Sequence, residues 1–151
     1  MTKAGWKQQF LLRDDQWGST DVKKATLGGN SLFNTCNFGL LLTHGSYATT
    51  AEADNVKYTY VWLLTLTNNA TEYLRFSDFD FGSADGTGLK WMTIQACNIL
   101  RPANITSMAN AGRLPDNDNL HLLMGPSTTS YAVPTLGRYY LTQWQLHHSS
   151  R

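Results

Sequence analysis

Charged side chains are scarce in this sequence. Asp, Glu, Lys and Arg make up 15% of its 151 residues, against roughly 25% in soluble domains, and they sum to a net charge of +1. The densest basic cluster is Lys23-Lys24. Because neutralising a phosphate backbone requires several clustered Lys or Arg side chains, we expect no nucleic-acid partner.

Long apolar runs are also missing. No run approaches the roughly 18 apolar residues of a membrane-spanning helix, so we expect no membrane partner. The first residues, Met1–Gln9, lack the apolar centre of a signal peptide. We therefore expect synthesis in the cytoplasm and leave the final location open, a virion or other particle included.

Motifs of common enzymes and cofactor sites are absent from the sequence. It contains no GxSxG, Walker, HExxH, paired CxxC or dinucleotide-binding glycine pattern, so we expect no cofactor and no metal. Two cysteines, Cys36 and Cys97, permit one disulfide. Since both lie in apolar runs, two buried thiols are the favoured interpretation.

The strongest pattern in the sequence is the alternation in Val56–Phe81. Even positions from Val56 to Leu66 are all apolar or aromatic, which predicts a strand with that face on the core. The stretch Asn68-Asn69-Ala70-Thr71 interrupts the run, and the run resumes from Tyr73, which predicts a hairpin. In the second arm the apolar parity changes, which predicts a bulge or sharp bend near Ser77-Asp78.

Other segments read as short strands separated by turns. The candidates are Trp6–Leu12, Val22–Leu27, Leu32–Leu42, Leu89–Leu100, Leu120–Met124 and Arg138–His147. We interpret His44–Asn55 as a loop and Ala103–Asn119 as a polar connection with room for a short helix around Ile105–Ala111. The whole chain, residues 1–151, is therefore predicted to be one all-β domain, an antiparallel β-sandwich (jelly-roll or immunoglobulin-like) of about seven or eight strands.

One short phrase agrees with that class. Tyr58–Asn69 resembles a strand of many immunoglobulin-like sandwich domains. The resemblance covers this stretch alone, so it implies a sandwich fold and assigns no family.

An acidic pair lies in the second arm of the hairpin. Asp78 and Asp80 are two residues apart, so on a regular strand both would face one side, next to Tyr73 or Trp62. Paired carboxylates beside aromatic rings bind calcium or sugar hydroxyls, or act as acid and base. A solvated strand face is the simpler interpretation of the same pair.

Aromatic side chains are abundant, with five Trp and seven Tyr. We assign Trp62 and Trp91 to the core. Other aromatic residues stand in predicted loops or near the chain ends, where they are candidates for contact with a ligand or another protein: Trp6, Trp17, Tyr47, Tyr131, Tyr139 and Trp144.

Three functional hypotheses follow. The favoured one is a non-catalytic structural or assembly subunit, such as a virion, phage or filament component, that self-associates through neutral Thr/Asn-rich and aromatic surfaces. The alternative is a carbohydrate-binding module or lectin that uses loop aromatics with Asp and Asn, so that its partner is a glycan. The third is a glycoside or ester hydrolase that uses Asp78 and Asp80.

Overall fold

The computed structural model of the protein describes residues 18–30, 32–65, 70–83 and 85–130. Within these ranges the chain forms six strands: β1 Phe38–Leu42, β2 His44–Tyr47, β3 Thr59–Thr65, β4 Ala70–Arg75, β5 Trp91–Gln95 and β6 Leu122–Met124. One α-helix, α1, spans Pro102–Asn110. Short 3-10 turns occur at Ser19–Asp21, Ala25–Leu27, Leu32–Thr35 and Phe76–Asp78. No helix in the described ranges has the length and apolarity of a membrane span.

The six strands form two three-stranded sheets. One sheet is parallel, with strand order β1-β5-β6, and the other is antiparallel, with order β2-β3-β4. Strands β1 and β2 are separated by Thr43 alone, so one extended segment contributes to both sheets. The end of the parallel sheet therefore lies next to the start of the antiparallel one.

The predicted antiparallel sandwich of seven or eight strands is wrong. The described chain is a mixed α/β arrangement with two small sheets and one helix. Residue alternation identifies a strand but carries no information on the direction of its partner. In β5, four of the five residues are buried, as is usual for parallel strands covered on both faces. Buried and exposed positions therefore do not alternate along this strand.

Helix α1 was predicted only as an option within a polar connection. It begins at Pro102, earlier than expected, and its fully buried residues are Asn104 and Met108. So few buried positions give no apolar stripe that sequence periodicity could detect. The Asn104 side-chain amide donates hydrogen bonds to the carbonyl oxygens of Ala48, at 3.0 Å, and Tyr58, at 2.8 Å, and thereby fastens α1 to the β2–β3 connection.

Two further segment predictions are wrong. The segment Val22–Leu27 contains one isolated bridge, between Lys23 and Phe79, followed by a 3-10 turn instead of a strand. The predicted loop His44–Asn55 begins with β2. The segments Trp6–Leu12 and Arg138–His147 lie outside the described residues.

The predicted hairpin is confirmed, and Val56 and Tyr58 are buried as predicted, but within β3 the buried parity is the opposite one. Strands β3 and β4 pair antiparallel, with Val61 opposite Leu74 and Trp62 opposite Tyr73. Val61 and Leu74 are buried, whereas Tyr73 is 58% exposed and Trp62 is half-buried. The assignment of Trp62 to the core is therefore wrong. Both parities of β3 contain apolar residues, so alternation alone did not determine which side faces inward.

The bend predicted near Ser77-Asp78 is also present. A 3-10 turn spans Phe76–Asp78 and ends the regular pairing of β4. Because the turn shifts the parity, Phe76, Phe79 and Phe81 all point into the core, with ring centroids 5.5 to 6.2 Å apart. These three rings belong to the buried hydrophobic core cluster.

Candidate active site

The carboxyl ends of the three parallel strands meet at one edge of their sheet. Strand β1 leads into His44, β5 leads into Cys97, and β6 leads into the segment that reaches Ser130. Sites in parallel α/β sheets form at this edge, because the loops that leave adjacent strands converge there. We term the group His44, Gly45, Cys97 and Ser130 the carboxyl edge.

The register of β1 and β5 brings together the segments that carry His44 and Cys97. Leu42 is opposite Gln95, and the Thr43 amide extends the pairing by donating a hydrogen bond to the Gln95 carbonyl oxygen at 3.1 Å. The residues that follow are His44 on one segment and Cys97 on the other. Gly45 faces Cys97, and the His44 ring lies on the opposite face of β2, with its centroid 5.7 Å from that of Trp62. Imidazole and thiol are the residue types that nucleophilic cysteine chemistry uses.

Gly45 brings the two backbones into direct contact. A methyl group on Gly45 would lie 2.5 Å from the Cys97 carbonyl oxygen and 2.9 Å from the Cys97 amide nitrogen. A side chain therefore does not fit at this position without displacing the backbone of Cys97, and glycine is what such a close approach requires. The start of β2 and the turn after β5 are thus packed together at the carboxyl edge.

The Cys97 sulfur is oriented by Ser130. The thiol donates to the Ser130 carbonyl oxygen at 3.1 Å, and the Ser130 amide donates to Sγ at 3.4 Å. Ser130 is itself held by the Gln95 side-chain amide, which donates to its hydroxyl oxygen. These contacts fix the position of the sulfur, and Cys97 as a residue is partly exposed.

The chain turns sharply directly after Cys97. Asn98 has a φ of +58°, a left-handed conformation that Asn tolerates better than most residues. The Asn98 amide donates to the Thr128 carbonyl at 2.9 Å, and the Leu100 amide donates to the Pro126 carbonyl at 3.1 Å. Cys97 therefore lies in the connection between β5 and α1, directly before a left-handed residue.

The second cysteine has a different environment. Cys36 donates from its thiol to the carbonyl oxygens of Phe33, at 3.1 Å, and Phe38, at 3.2 Å. Burial raises the pKa of the Cys36 thiol above its ordinary value. Both cysteines are free thiols, and each is half-buried instead of fully buried as the sequence predicted. We infer that Cys36 is structural.

Three of the eight ligand or interface candidates from the sequence analysis fall in described parts of the chain. Tyr47 is half-buried, with the Arg101 guanidinium 3.6 Å from its ring centroid. The Asp78 carboxylate accepts a hydrogen bond from the Ser77 hydroxyl at 3.1 Å, and the Asp80 carboxylate accepts one from the Asn34 amide at 3.4 Å. The remaining candidates lie outside the described residues: Trp6, Trp17, Tyr131, Tyr139 and Trp144.

Sequence reasoning missed His44 and Cys97 as a pair. Their local signal is that each follows a short apolar run, in Leu42-Thr43-His44-Gly45 and in Ile94-Gln95-Ala96-Cys97. The pair becomes visible only when these runs are paired as parallel neighbours, and an antiparallel sandwich does not pair them in that way.

Comparison of the chain with protein-family models, with curated proteins and with solved structures gave no match. Among the described residues, no group of three or more His, Cys, Asp and Glu side chains is placed to hold a metal ion. The functional argument for this chain therefore rests on the chemistry of the carboxyl edge itself.

Proposed function

We propose that the protein is a cysteine hydrolase that cleaves acyl bonds, with Cys97 as nucleophile and His44, on the adjoining segment, as general base. The observation that carries the proposal is the position of Cys97 at the carboxyl edge, a partly exposed thiol held by Ser130 on a segment that packs against Gly45, the neighbour of His44. A thiol becomes a strong nucleophile when a neighbouring imidazole removes its proton.

The reaction proceeds in two steps. His44 takes the proton from Cys97, the sulfur attacks the substrate carbonyl carbon, and a carbon–sulfur bond replaces the bond to the leaving group, which departs with the proton from His44. Water, deprotonated by His44, then attacks the thioester and releases the acid and the Cys97 thiol. One residue thus acts first as base and then as acid in each half of the reaction.

The three hypotheses drawn from composition remain predictions. An assembly subunit rests on the low charge content, and its solution mass by light scattering would test it. A glycan-binding module and an Asp78/Asp80 hydrolase rest on residue types alone. The carboxyl edge gives the cysteine hydrolase a geometric basis that these three lack.

Alkylation by iodoacetamide tests the proposed pair. We expect Cys97 to react about tenfold faster than Cys36, because burial raises the pKa of the Cys36 thiol, whereas Cys97 has the proposed base on the adjoining segment. The His44→Ala variant should lose most of that advantage at Cys97 and leave the rate at Cys36 unchanged. Peptide mapping by mass spectrometry gives both rates in one sample.

His121→Ala is the matched control for this experiment. His121 and His44 are both exposed, and each lies beside a tryptophan ring. The distance between ring centroids is 5.7 Å for His121 and Trp91 and also 5.7 Å for His44 and Trp62. We expect His121→Ala to leave both alkylation rates as in the wild type. An unchanged Cys97 rate in His44→Ala would contradict the proposed pair.

A further inference from the structure

A short segment lies across the carboxyl edge and reaches the Cys97 sulfur. Pro126–Ser130 follows β6 and runs antiparallel to the connection that begins at Cys97. The Asn98 amide donates to the Thr128 carbonyl oxygen at 2.9 Å, and a second backbone hydrogen bond joins the segment to Leu100 at 3.1 Å. We term Pro126–Ser130 the strap.

The start of the strap is fixed by close packing. A methyl group on Gly125, the residue before the strap, would lie 2.6 Å from Cγ2 of Ile99 and 3.0 Å from the Ile94 carbonyl oxygen. Ile94 and Ile99 are both fully buried, so the chain leaves β6 in direct contact with the hydrophobic core. This end of the strap therefore has no room to shift.

The strap itself has little apolar surface to hold it down. Its sequence, Pro126-Ser127-Thr128-Thr129-Ser130, contains no large apolar side chain, and Ser127, Thr128 and Thr129 are exposed. Segments that are held by hydrogen bonds with few buried apolar contacts open locally at a low cost in free energy. We therefore expect the strap to open more easily than the strands beside it.

The far end of the strap is attached through a buried side chain. Gln95 is only 5% exposed, and its side-chain amide donates to the Ser130 hydroxyl oxygen. Ser130 contacts Sγ of Cys97 with both of its backbone groups, the carbonyl oxygen at 3.1 Å and the amide nitrogen at 3.4 Å. The Ser130 peptide groups therefore cover one side of the sulfur for as long as the bond from Gln95 holds Ser130 in place.

We propose that the strap is a lid over Cys97, latched by the hydrogen bond from Gln95 to Ser130. When this latch breaks, Ser130 moves away and takes with it the two groups that contact the sulfur. Bulky reagents and substrates reach Cys97 in that open state. The role of the strap as a gate to the nucleophile rests on the proposed function, whereas its covering of the sulfur does not.

Labelling with a bulky thiol reagent, fluorescein maleimide, tests the strap. Ser130→Ala and Gln95→Met each remove the latch, so each should raise the labelling rate at Cys97 by roughly 2- to 12-fold, the range that one net hydrogen bond contributes. The double variant should be no faster than the faster single variant, because both changes remove the same bond. Peptide mapping by mass spectrometry gives the rates at Cys97 and Cys36 in one sample.

Two matched controls accompany these variants. Ser127→Ala makes the same change at an exposed position of the strap, and Ser130→Thr retains the hydroxyl group that accepts the latch bond. We expect both to label at the wild-type rate. A Cys97 rate that does not rise in the latch variants, or that rises equally in Ser127→Ala, overturns the strap. A Cys36 rate that rises together with the Cys97 rate shows a general loosening of the fold and also overturns it.

Failure of the strap is distinguishable from failure of the proposed function. If Cys97→Ala abolishes turnover of p-nitrophenyl acetate but neither latch variant changes the labelling of Cys97, the strap alone is wrong. If the latch variants expose Cys97 as expected but turnover persists in Cys97→Ala, the covering of the sulfur is confirmed and the proposed function is wrong.

Discussion

Replacing Cys97 by alanine is expected to abolish turnover of an activated ester such as p-nitrophenyl acetate. His44→Ala should lower kcat/KM by about 10²- to 10⁴-fold, the usual contribution of a positioned general base. The double variant should be no worse than Cys97→Ala, because the base has no function when its nucleophile is absent. The rate of p-nitrophenolate release over many turnovers measures all three variants.

Cys36→Ala provides the internal control for this loss. The Cys36 thiol donates to two backbone carbonyl oxygens, and its pKa is raised by burial, so it is not placed to act as a nucleophile. We expect the turnover of Cys36→Ala to remain within about twofold of the wild type, since conservative changes away from a reacting centre have small effects. Turnover that persists in Cys97→Ala would contradict the assignment of the nucleophile.

Gly45→Ala is expected to damage stability and activity together. The added methyl group would overlap the Cys97 backbone, with 2.5 Å to its carbonyl oxygen, and backbone atoms cannot move aside as a side chain can. Overpacking of this kind costs about 1 to 3 kcal/mol of unfolding free energy. Because the strain displaces Cys97, turnover should also fall well below that of the wild type. Urea unfolding and the ester assay measure the two effects.

Gly18→Ala is the matched control for the glycine substitution. A methyl group on Gly18 would have no neighbouring atom within 4 Å, and its φ of −144° is open to any residue. We therefore expect Gly18→Ala to lower the free energy of unfolding by less than about 1 kcal/mol, mainly because Gly18 is the residue before a 3-10 turn. Equal unfolding midpoints for Gly45→Ala and the wild type would contradict the close packing of β2 on Cys97.

Local patterns in the sequence were sufficient to predict the hairpin and its bend. The β3–β4 pairing has alternation on both arms, and the change of parity at Ser77-Asp78 has a direct structural cause in the Phe76–Asp78 turn. Both features depend on residues close together in the chain. The predicted buried face was right at Val56 and Tyr58 and wrong within β3, because Val61 and Trp62 are both apolar and alternation does not decide which of them enters the core.

Features that depend on distant residues were not predictable in the same way. The parallel pairing of β1 with β5 joins residues such as Leu42 and Gln95, and nothing in the sequence of either strand identifies the other as its partner. Helix α1 is held by Asn104, whose bonds reach Ala48 and Tyr58, instead of by an apolar stripe. The candidate site belongs to the same group of features, because the segment that carries His44 and Gly45 meets Cys97 only through the parallel sheet.

The most direct test of the central claim is to trap the acyl group on the protein. Wild-type protein is mixed with p-nitrophenyl acetate, quenched in acid during the first turnover and digested for peptide mass mapping. A thioester intermediate places the acetyl group on Cys97 and releases a burst of p-nitrophenolate that matches the labelled fraction. A burst with the acetyl group on another residue, or steady turnover with Cys97 unmodified, would contradict the assignment of Cys97 as the nucleophile.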